Sequence, residues 1–313
     1  MSEVRFLDAA ERRTGHGPQD AAQDIARRLP SLIVAAKDVA SSVMHGMHGR
    51  RRAGIGETFW QFRPFVAGEP AANVDWRRSA RDDRLYVRER EWEAAHTVWI
   101  WIDRSASMGF ISKLALQSKV ERALVIGLAA ADLLMRGGER VGLLGLTRPL
   151  AMRNIIDRFA ETMIAEETAP TFAAPELPPN AALQARTQLL WISDFLSDPA
   201  AIDDKIQHLS ADGARGHLVM IADPIEETFP FTGHTEFVDV DSEARLRVGR
   251  AEAFREDYIL RLAAHRDAVR AAAAKRGWTL LLHRTDRPAS EALLALRMRL
   301  EAGADLQLSR LAG

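Results

Sequence analysis

The sequence predicts an α/β protein with a doubly wound, mostly parallel sheet and a small β-rich module near the N-terminus. Residues Thr97–Ile102 are apolar at nearly every position, which is typical of a strand covered on both faces. From that strand to the C-terminus, strand-like and helix-like segments alternate, and this order favours parallel strands joined by helices. A chain of 313 residues is long enough for one large domain and a smaller attached module.

Three segments precede that strand. Residues 1–19 are polar and show neither helical nor strand periodicity, so we expect a flexible tail. Residues 20–43 carry apolar side chains at helical spacing and predict one amphipathic helix. Residues 58–66 and 85–93 have the composition of strands and predict the β-rich module. We therefore divide the chain into a tail (1–19), a helix with the β-rich module (20–94) and the main α/β domain (95–313).

The main domain continues as an alternation of helices and strands, with Thr97–Ile102 expected in the middle of its sheet. The predicted helices are residues 117–135, 154–167, 199–210, 251–276 and 289–302. The predicted strands are residues 140–146, 188–193, 216–222 and 278–283. Residues 235–240 and 245–248 are expected to form a short hairpin.

Charge and composition exclude several classes of protein. The 42 basic and 43 acidic residues leave a net charge of -1, which gives no overall field to attract nucleic acid or an anionic membrane. The chain has no cysteine, and so no disulfide, thiolate metal site or cysteine nucleophile. Residues 1–11 lack the apolar core of a signal peptide, and residues 123–135, the longest apolar stretch, are too short for a membrane helix. We expect a cytoplasmic protein with no membrane span.

Three oxygen-bearing side chains follow the apolar strand at alternate positions. Asp103 comes directly after it, and Ser105 and Ser107 follow before a segment of helical length. They are expected at the carboxyl end of a strand, which is where open α/β sheets bind ligands. One carboxylate with two hydroxyls suits Mg²⁺, which keeps several waters and takes few charged protein ligands. The sequence therefore predicts a site for Mg²⁺, or for Mn²⁺ in its place.

A second carboxylate is expected at the same edge of the sheet. Asp194 directly follows the predicted strand 188–193, so it should face Asp103 across the crevice. Its predicted role is to accept hydrogen bonds from metal-bound water, while an acidic group of a partner completes the coordination. In the alternative interpretation Ser105 and Ser107 only cap the following helix, and no metal is bound.

These features occur together with a longer pattern upstream of them. The most specific stretches are Arg63-Pro64-Phe65-Val66-Ala67-Gly68-Glu69 and Val74-Asp75-Trp76-Arg77-Arg78-Ser79-Ala80-Arg81. With Asp103-Arg104-Ser105-Ala106-Ser107, they make the chain from about residue 50 onward resemble the von Willebrand A-like proteins catalogued as domain of unknown function fifty-eight. The resemblance implies a Rossmann-like fold with a metal-ion-dependent adhesion site. It also implies a chaperone-like role beside a MoxR-type AAA+ ATPase in the maturation of client proteins.

One part of the family pattern is missing. Where relatives usually have a Gly-Thr that supplies the third loop of the metal site, this chain has residues 178–181, with the sequence Pro-Pro-Asn-Ala. Thr168 and Thr171 are the candidate substitutes from the preceding loop. The missing threonine bears on both the metal affinity and the metal occupancy of the site, and the alternative function is that of a metal-independent scaffold.

A partner-docking surface is predicted upstream of the main domain. Asp75, Trp76, Arg77 and Arg81 lie together in the sequence, and tryptophan and arginine are favoured anchors at protein interfaces. The alternative is that Trp76 packs the β-rich module onto the main sheet, because large aromatic side chains also dominate cores.

The function predicted from these features is metal-dependent protein binding and assembly, without enzymatic activity. A Mg²⁺-dependent phosphohydrolase of the haloacid dehalogenase type is one alternative, since those enzymes also place an aspartate after the first strand. They carry a second aspartate two residues later, where this chain has Ser105. A serine cannot serve as a general acid at neutral pH, so the sequence argues against this chemistry. The metal-independent scaffold is the other alternative.

Overall fold

The fold is described from a computed structural model of the chain. The described residues are 18–45, 59–66, 70–81, 84–90, 96–169, 172, 174–185, 187–238 and 245–309. The predicted tail, residues 1–19, lies outside this part of the chain except for its last two residues, which begin the first helix.

The elements follow in chain order. The helices are α1 (Pro18–His45), α2 (Trp76–Ser79), α3 (Lys119–Arg136), α4 (Ile155–Glu167), α5 (Pro199–Leu209), α6 (Pro224–Thr228), α7 (Arg255–Lys275) and α8 (Ala289–Ser309). The strands are β1 (Phe59–Pro64), β2 (Tyr86–Arg90), β3 (Thr97–Ile102), β4 (Arg140–Leu143), β5 (Thr187–Ser193), β6 (Arg215–Ala222), β7 (Thr235–Val238), β8 (Arg245–Val248) and β9 (Thr279–Arg284). Single 3-10 turns lie at Ala71–Asn73, Ala106–Gly109 and Ala251–Phe254.

The main sheet has five parallel strands in the order β4-β3-β5-β6-β9. Counted from β3 along the chain, this is the order 2-1-3-4-5, in which the winding direction reverses between β3 and β5. The predicted doubly wound parallel sheet is confirmed. The predicted central position of β3 is wrong, because β5 is the middle strand and β3 lies next to the edge. An apolar run indicates burial on both faces, which every interior strand has.

Helices cover both faces of the sheet. One apolar cluster joins α1, α3, α4 and α8 to the strands, with fully buried contacts at Ala36, Ile126, Phe159 and Leu296. The cluster on the other face includes Ile206 of α5 and Val269 of α7, together with Trp278. No helix in the described part of the chain is both long and apolar enough to cross a membrane.

Helix α1 belongs to the main domain. The chain divides into two compact units, residues 1–45 with 96–313, and residues 46–95. The apolar face of α1, with Leu29, Leu32 and Ala40, is buried in the cluster that also contains α3. The predicted grouping of this helix with the β-rich module in residues 20–94 is therefore corrected. Helical periodicity shows that a face is apolar, but not which surface covers it.

The second unit, residues 46–95, contains the predicted strand pair. Strands β1 and β2 are antiparallel, with Pro64 opposite Tyr86. Between them lies the single turn α2, whose start is fixed by Asp75: its Oδ1 accepts a hydrogen bond of 2.9 Å from the backbone N–H of Arg78. The other predicted hairpin also forms, because β7 pairs with β8 in an antiparallel register.

Helix α3 lies unusually close to the two strands that lead to the candidate site. It begins after Ser118, which forms a capping box with Glu121. At Gly127 of this helix, a Cβ would lie 2.6 Å from Ile102 Cδ1 and 3.3 Å from Ile192 Cδ1. Glycine therefore permits the close approach of α3 to the carboxyl ends of β3 and β5.

Candidate functional site

Asp103 and Asp194 follow the two strands between which the strand order reverses. The pairing of β3 with β5 runs to Ile102 opposite Ile192, and the backbone N–H of Asp103 continues it with a 2.9 Å hydrogen bond to Ile192 O. Both carboxylates therefore lie at the carboxyl edge of the sheet, at its topological switch point.

The Asp103 carboxylate is almost completely buried, with 1% of the residue exposed. Its Oδ1 accepts a 2.8 Å hydrogen bond from the backbone N–H of Ser105, and its Oδ2 accepts a 2.7 Å bond from Ser193 Oγ. Burial raises the pKa of Asp103 to about 6, against the hydrogen bonds from Ser105 and Ser193 that lower it, and nearby Asp194 raises it further. The site therefore favours a positive charge that would compensate this carboxylate.

The two serines connect the Asp103 turn to Asp194. Ser105 Oγ lies 3.2 Å from Ser107 Oγ, and Ser107 Oγ donates a 2.8 Å hydrogen bond to Asp194 Oδ2. The structure thus brings together all four residues predicted for the metal site. Ser105 makes no side-chain capping bond, and Ser118 caps the following helix α3, so the alternative role of Ser105 and Ser107 as helix caps is wrong.

A buried lysine also contacts Asp194 Oδ2. Lys119, the first residue of α3, is only 1% exposed, and its Nζ donates hydrogen bonds to Asp194 Oδ2 at 2.9 Å and Glu226 Oε1 at 2.7 Å. Burial alone lowers the pKa of Lys119, but the carboxylates of Glu226 and Asp194 raise it above its ordinary value. Lys119 is therefore a charged ammonium group between two carboxylates.

Asp223 holds the neighbouring loop against this group. It directly follows β6 and is fully buried, with Oδ2 accepting a 2.9 Å hydrogen bond from the backbone N–H of Ser112. Asp223 also starts helix α6, whose capping box includes Glu226. The sequence alone assigns no role in the site to Lys119, Asp223 or Glu226. The Asp-x-x-Glu pattern after a strand signals a capping box, but a lysine in a first helical turn gives no signal of burial.

The backbone after Asp194 has a strained conformation. Phe195 has a φ of 53°, which is uncommon for a residue other than glycine and costs of order 1 kcal/mol or more. His265 Nε2 donates a 2.6 Å hydrogen bond to Phe195 O, and the Phe195 ring lies 5.0 Å from that of Trp191. Leu196 N–H donates to Asp194 Oδ1 at 3.2 Å. These contacts fix the orientation of the Asp194 carboxylate.

Thr168, the third-loop candidate among the described residues, does not contact the site. Thr168 Oγ1 donates a 2.9 Å hydrogen bond to Ile164 O of its own helix, and Asn180 Oδ1 accepts a 2.6 Å bond from Lys205 Nζ. Thr171 lies outside the described residues. Arg104, between Asp103 and Ser105, is ion-paired with Glu166 and Glu167.

The donor set fits a hard divalent cation with one direct carboxylate. In the part of the chain that the structure describes, no three His, Cys, Asp or Glu side chains are grouped as a metal site. A metal held by Asp103 with Ser105 and Ser107 would thus take hydroxyl and water oxygens for most of its ligands. Mg²⁺ accepts such a shell, and the buried charge of Asp103 supports the fit.

Comparison with known proteins places the chain in a family. The sequence matches the family described as "Protein of unknown function DUF58" over residues 61–268. The chain belongs to this family. Relatives of this DUF58 protein include the uncharacterised proteins Rv1480 of Mycobacterium tuberculosis and Mb1516 of Mycobacterium bovis. Each is 27% identical to it over an alignment of 280 residues, and the match covers 84% of this chain and 86% of the relative.

Two solved structures are similar to the DUF58 protein at low scores. An aerotolerance-related membrane protein from Bacteroides fragilis matches with a TM-score of 0.38 and 14% identity, over 64% of this chain and 96% of that one. BatB from Bacteroides thetaiotaomicron matches with a TM-score of 0.36 and 10% identity, over 66% of this chain and 100% of that one.

The residues predicted for partner docking lie in the other unit of the DUF58 protein, residues 46–95. Trp76 is 61% exposed, and its role in partner docking stays a prediction. Arg77 and Arg81 are exposed as well, while Asp75 is used to cap α2. Exposed tryptophan and arginine are consistent with the predicted docking surface.

Asp103→Asn is expected to stabilise the metal-free DUF58 protein at pH 8. The folded pKa of about 6 exceeds the ordinary value of 3.8, so folding carries a penalty above pH 6 that disappears below about pH 4. The shift corresponds to at most about 3 kcal/mol, and we expect a gain of about 1–3 kcal/mol in the free energy of unfolding. Urea unfolding in EDTA at pH 8, 6 and 4.5 would measure it.

The gain in stability of Asp103→Asn should shrink as the pH falls through 6. The control is Asp204→Asn, at an exposed position of α5, which should change the free energy of unfolding by less than about 0.5 kcal/mol. If Asp103→Asn instead destabilised the protein equally at every pH, the hydrogen bonds of the Asp103 carboxylate would stabilise the fold by more than its desolvation costs.

Proposed function

We propose that this DUF58 protein is a metal-dependent protein-binding and assembly module of the von Willebrand A-like type. In this proposal it acts with a MoxR-type AAA+ ATPase in the cytoplasm to mature a client protein. The observation that carries the proposal is the convergence of Asp103, Ser105, Ser107 and Asp194 at the switch point of the sheet. The partnership with the ATPase rests on the family resemblance alone.

The residues of the site divide into two roles. Asp103, Ser105 and Ser107 would hold a Mg²⁺ or Mn²⁺ ion, and Asp194 would accept hydrogen bonds from its water. A bound ion would supply an open coordination position for an acidic side chain of the partner. The raised pKa of Asp103 supports this proposal, because perturbed carboxylates at a sheet switch point are typical of functional sites.

The loops that carry the site also expose apolar side chains. Leu114 and Leu116, in the loop before α3, are 58% and 95% exposed, and Leu196, two residues after Asp194, is 50% exposed. A partner surface with an acidic residue among apolar ones would match both features. Exposed apolar groups beside a polar centre are typical of protein interaction sites.

The phosphohydrolase alternative has less support. In that chemistry the residue at the position of Ser105 must be a general acid, and a serine hydroxyl cannot donate its proton in this way at neutral pH. The Ser105 hydroxyl lies 3.2 Å from Ser107 Oγ, and the backbone N–H of Ser105 is the group that donates to Asp103. The metal-independent scaffold is favoured by a specific observation, namely the Lys119 ammonium group that already pairs with Asp194. It therefore remains the second candidate function.

Titration calorimetry with Mg²⁺ and Mn²⁺ would test the proposal. We expect binding at micromolar to millimolar dissociation constants in the wild type, and no binding in Asp103→Ala, because the direct carboxylate ligand is lost. Asp204→Ala, an exposed position on α5, serves as a matched control and should bind like the wild type. No heat in the wild type, together with an unchanged melting temperature in Mn²⁺ and in EDTA, would favour the scaffold instead.

Partner binding would be tested next with the same variants. A purified MoxR-type ATPase should bind the wild type in Mn²⁺, and lose binding in EDTA or with Asp103→Ala. Equal binding under all these conditions would contradict a metal-dependent contact.

A further inference from the structure

Lys119 is a charged group in a place where lysine is rarely found. Only 1% of the residue is exposed, and a lysine is buried to this extent only when its charge is paired. Its partners are Asp194 Oδ2 at 2.9 Å and Glu226 Oε1 at 2.7 Å. The ammonium group thus neutralises part of the negative charge beside the candidate metal site.

The lysine and the metal motif share one oxygen atom. Asp194 Oδ2 accepts hydrogen bonds from both Ser107 Oγ and Lys119 Nζ, while Oδ1 accepts from Leu196 N–H. The Asp194 oxygen nearest the metal motif is therefore the one paired with the ammonium group. A carboxylate paired in this way attracts a second cation less strongly, and the two positive charges repel each other.

The ammonium group is also fixed in place. Lys119 is the first residue of α3, and its backbone N–H donates a 3.2 Å hydrogen bond to Phe110 O. Its second acceptor, Glu226, is held by the backbone N–H of Asp223, which donates to Oε2 at 2.8 Å. Moving the ammonium group away from Asp194 would therefore disturb contacts on both α3 and α6.

We infer that Lys119 is a built-in cation that competes with the metal ion for the charge of Asp194 and sets the metal affinity of the site. The inference rests on the proposed function, since it concerns the same metal. With Asp194 neutralised, Asp103 is the one full carboxylate charge left for the ion among the four residues of the site. An acidic side chain of a partner would then add the negative charge that Asp194, paired with Lys119, does not offer to the ion. Metal and partner should therefore bind cooperatively.

The inference is tested by measuring Mn²⁺ affinity in two variants that are expected to change it in opposite directions. Lys119→Met keeps the length of the side chain and removes the charge, so we expect Mn²⁺ to bind about tenfold tighter or more. Glu226→Gln leaves the ammonium group to Asp194 alone, so we expect weaker Mn²⁺ binding than in the wild type. Lys275→Met, at an exposed lysine paired with Asp203, is the matched control and should bind like the wild type.

The double variant Lys119→Met/Glu226→Gln serves if Lys119→Met alone fails to fold, because it removes one positive and one negative charge together. It should also bind Mn²⁺ more tightly than the wild type, as measured by calorimetry and by the rise in melting temperature on addition of Mn²⁺.

Equal affinity in the wild type, Lys119→Met and the double variant would overturn the inference and leave the proposed metal site standing. No binding in the wild type or in any of these variants would overturn both. Tighter binding in Lys119→Met that persists when Asp103→Ala is added would also overturn the inference, because the metal would then occupy another site.

Discussion

Lys119→Met is expected to lower the free energy of unfolding of the metal-free protein by about 3–5 kcal/mol at pH 8. The variant leaves Asp194 buried without its cation, and Glu226 loses the same partner. The raised pKa of Lys119 places its folded value above 10.5, so the lysine is fully charged at pH 8, and its pairing would be lost only as the pH rises through the folded value. Urea unfolding in EDTA would measure the difference.

Lys275→Met, at an exposed ion pair, should cost less than about 1 kcal/mol. If Lys119→Met were as stable as this control at pH 8, the ion pairs of Lys119 would contribute nothing to folding.

Trp191→Ala is expected to cost about 3–5 kcal/mol, the typical loss for a buried aromatic residue. Trp191 is completely buried in β5, edge-to-face with Trp101 at a ring distance of 5.9 Å and against Phe195 at 5.0 Å. Its Nε1 has no hydrogen-bond partner among the described residues. The loss would therefore come from packing and from the cavity left behind.

The same variant should also weaken Mn²⁺ binding. Trp191 packs against Phe195, the residue with the strained φ that directly follows Asp194. The cavity would therefore remove part of the packing that fixes the Asp194 carboxylate. Trp191→Phe retains an aromatic ring and should lose less stability and little affinity. Calorimetry and urea unfolding of both variants would check this. A loss below about 1 kcal/mol in Trp191→Ala would show that the core under the site can collapse around the missing ring.

Much of the site could be predicted from the sequence because parallel strands bring their carboxyl ends to one edge. Asp103 and Asp194 each follow an apolar strand, and two such strands that are neighbours in the sheet must place their next residues close together. The alternate spacing of Ser105 and Ser107 then carries both hydroxyls into the same turn. None of this depends on contacts between distant helices.

The rest of the site depends on such contacts. Lys119 meets Asp194 and Glu226 across 75 and 107 residues of chain, and no local pattern records that α3 and α6 begin side by side. The same limit explains why the sequence groups α1 with the β-rich module and predicts a central position for β3. Periodicity reports how much of an element is covered, whereas tertiary packing decides what covers it.

A crystal structure of the wild type with Mn²⁺, with the ion located by its anomalous scattering, tests the proposed metal site most directly. We predict one strong anomalous peak within coordination distance of an Asp103 carboxylate oxygen and of the Ser105 and Ser107 hydroxyls, with Asp194 still paired to Lys119. An anomalous peak elsewhere, with only water beside Asp103 at saturating Mn²⁺, would contradict the metal-dependent function.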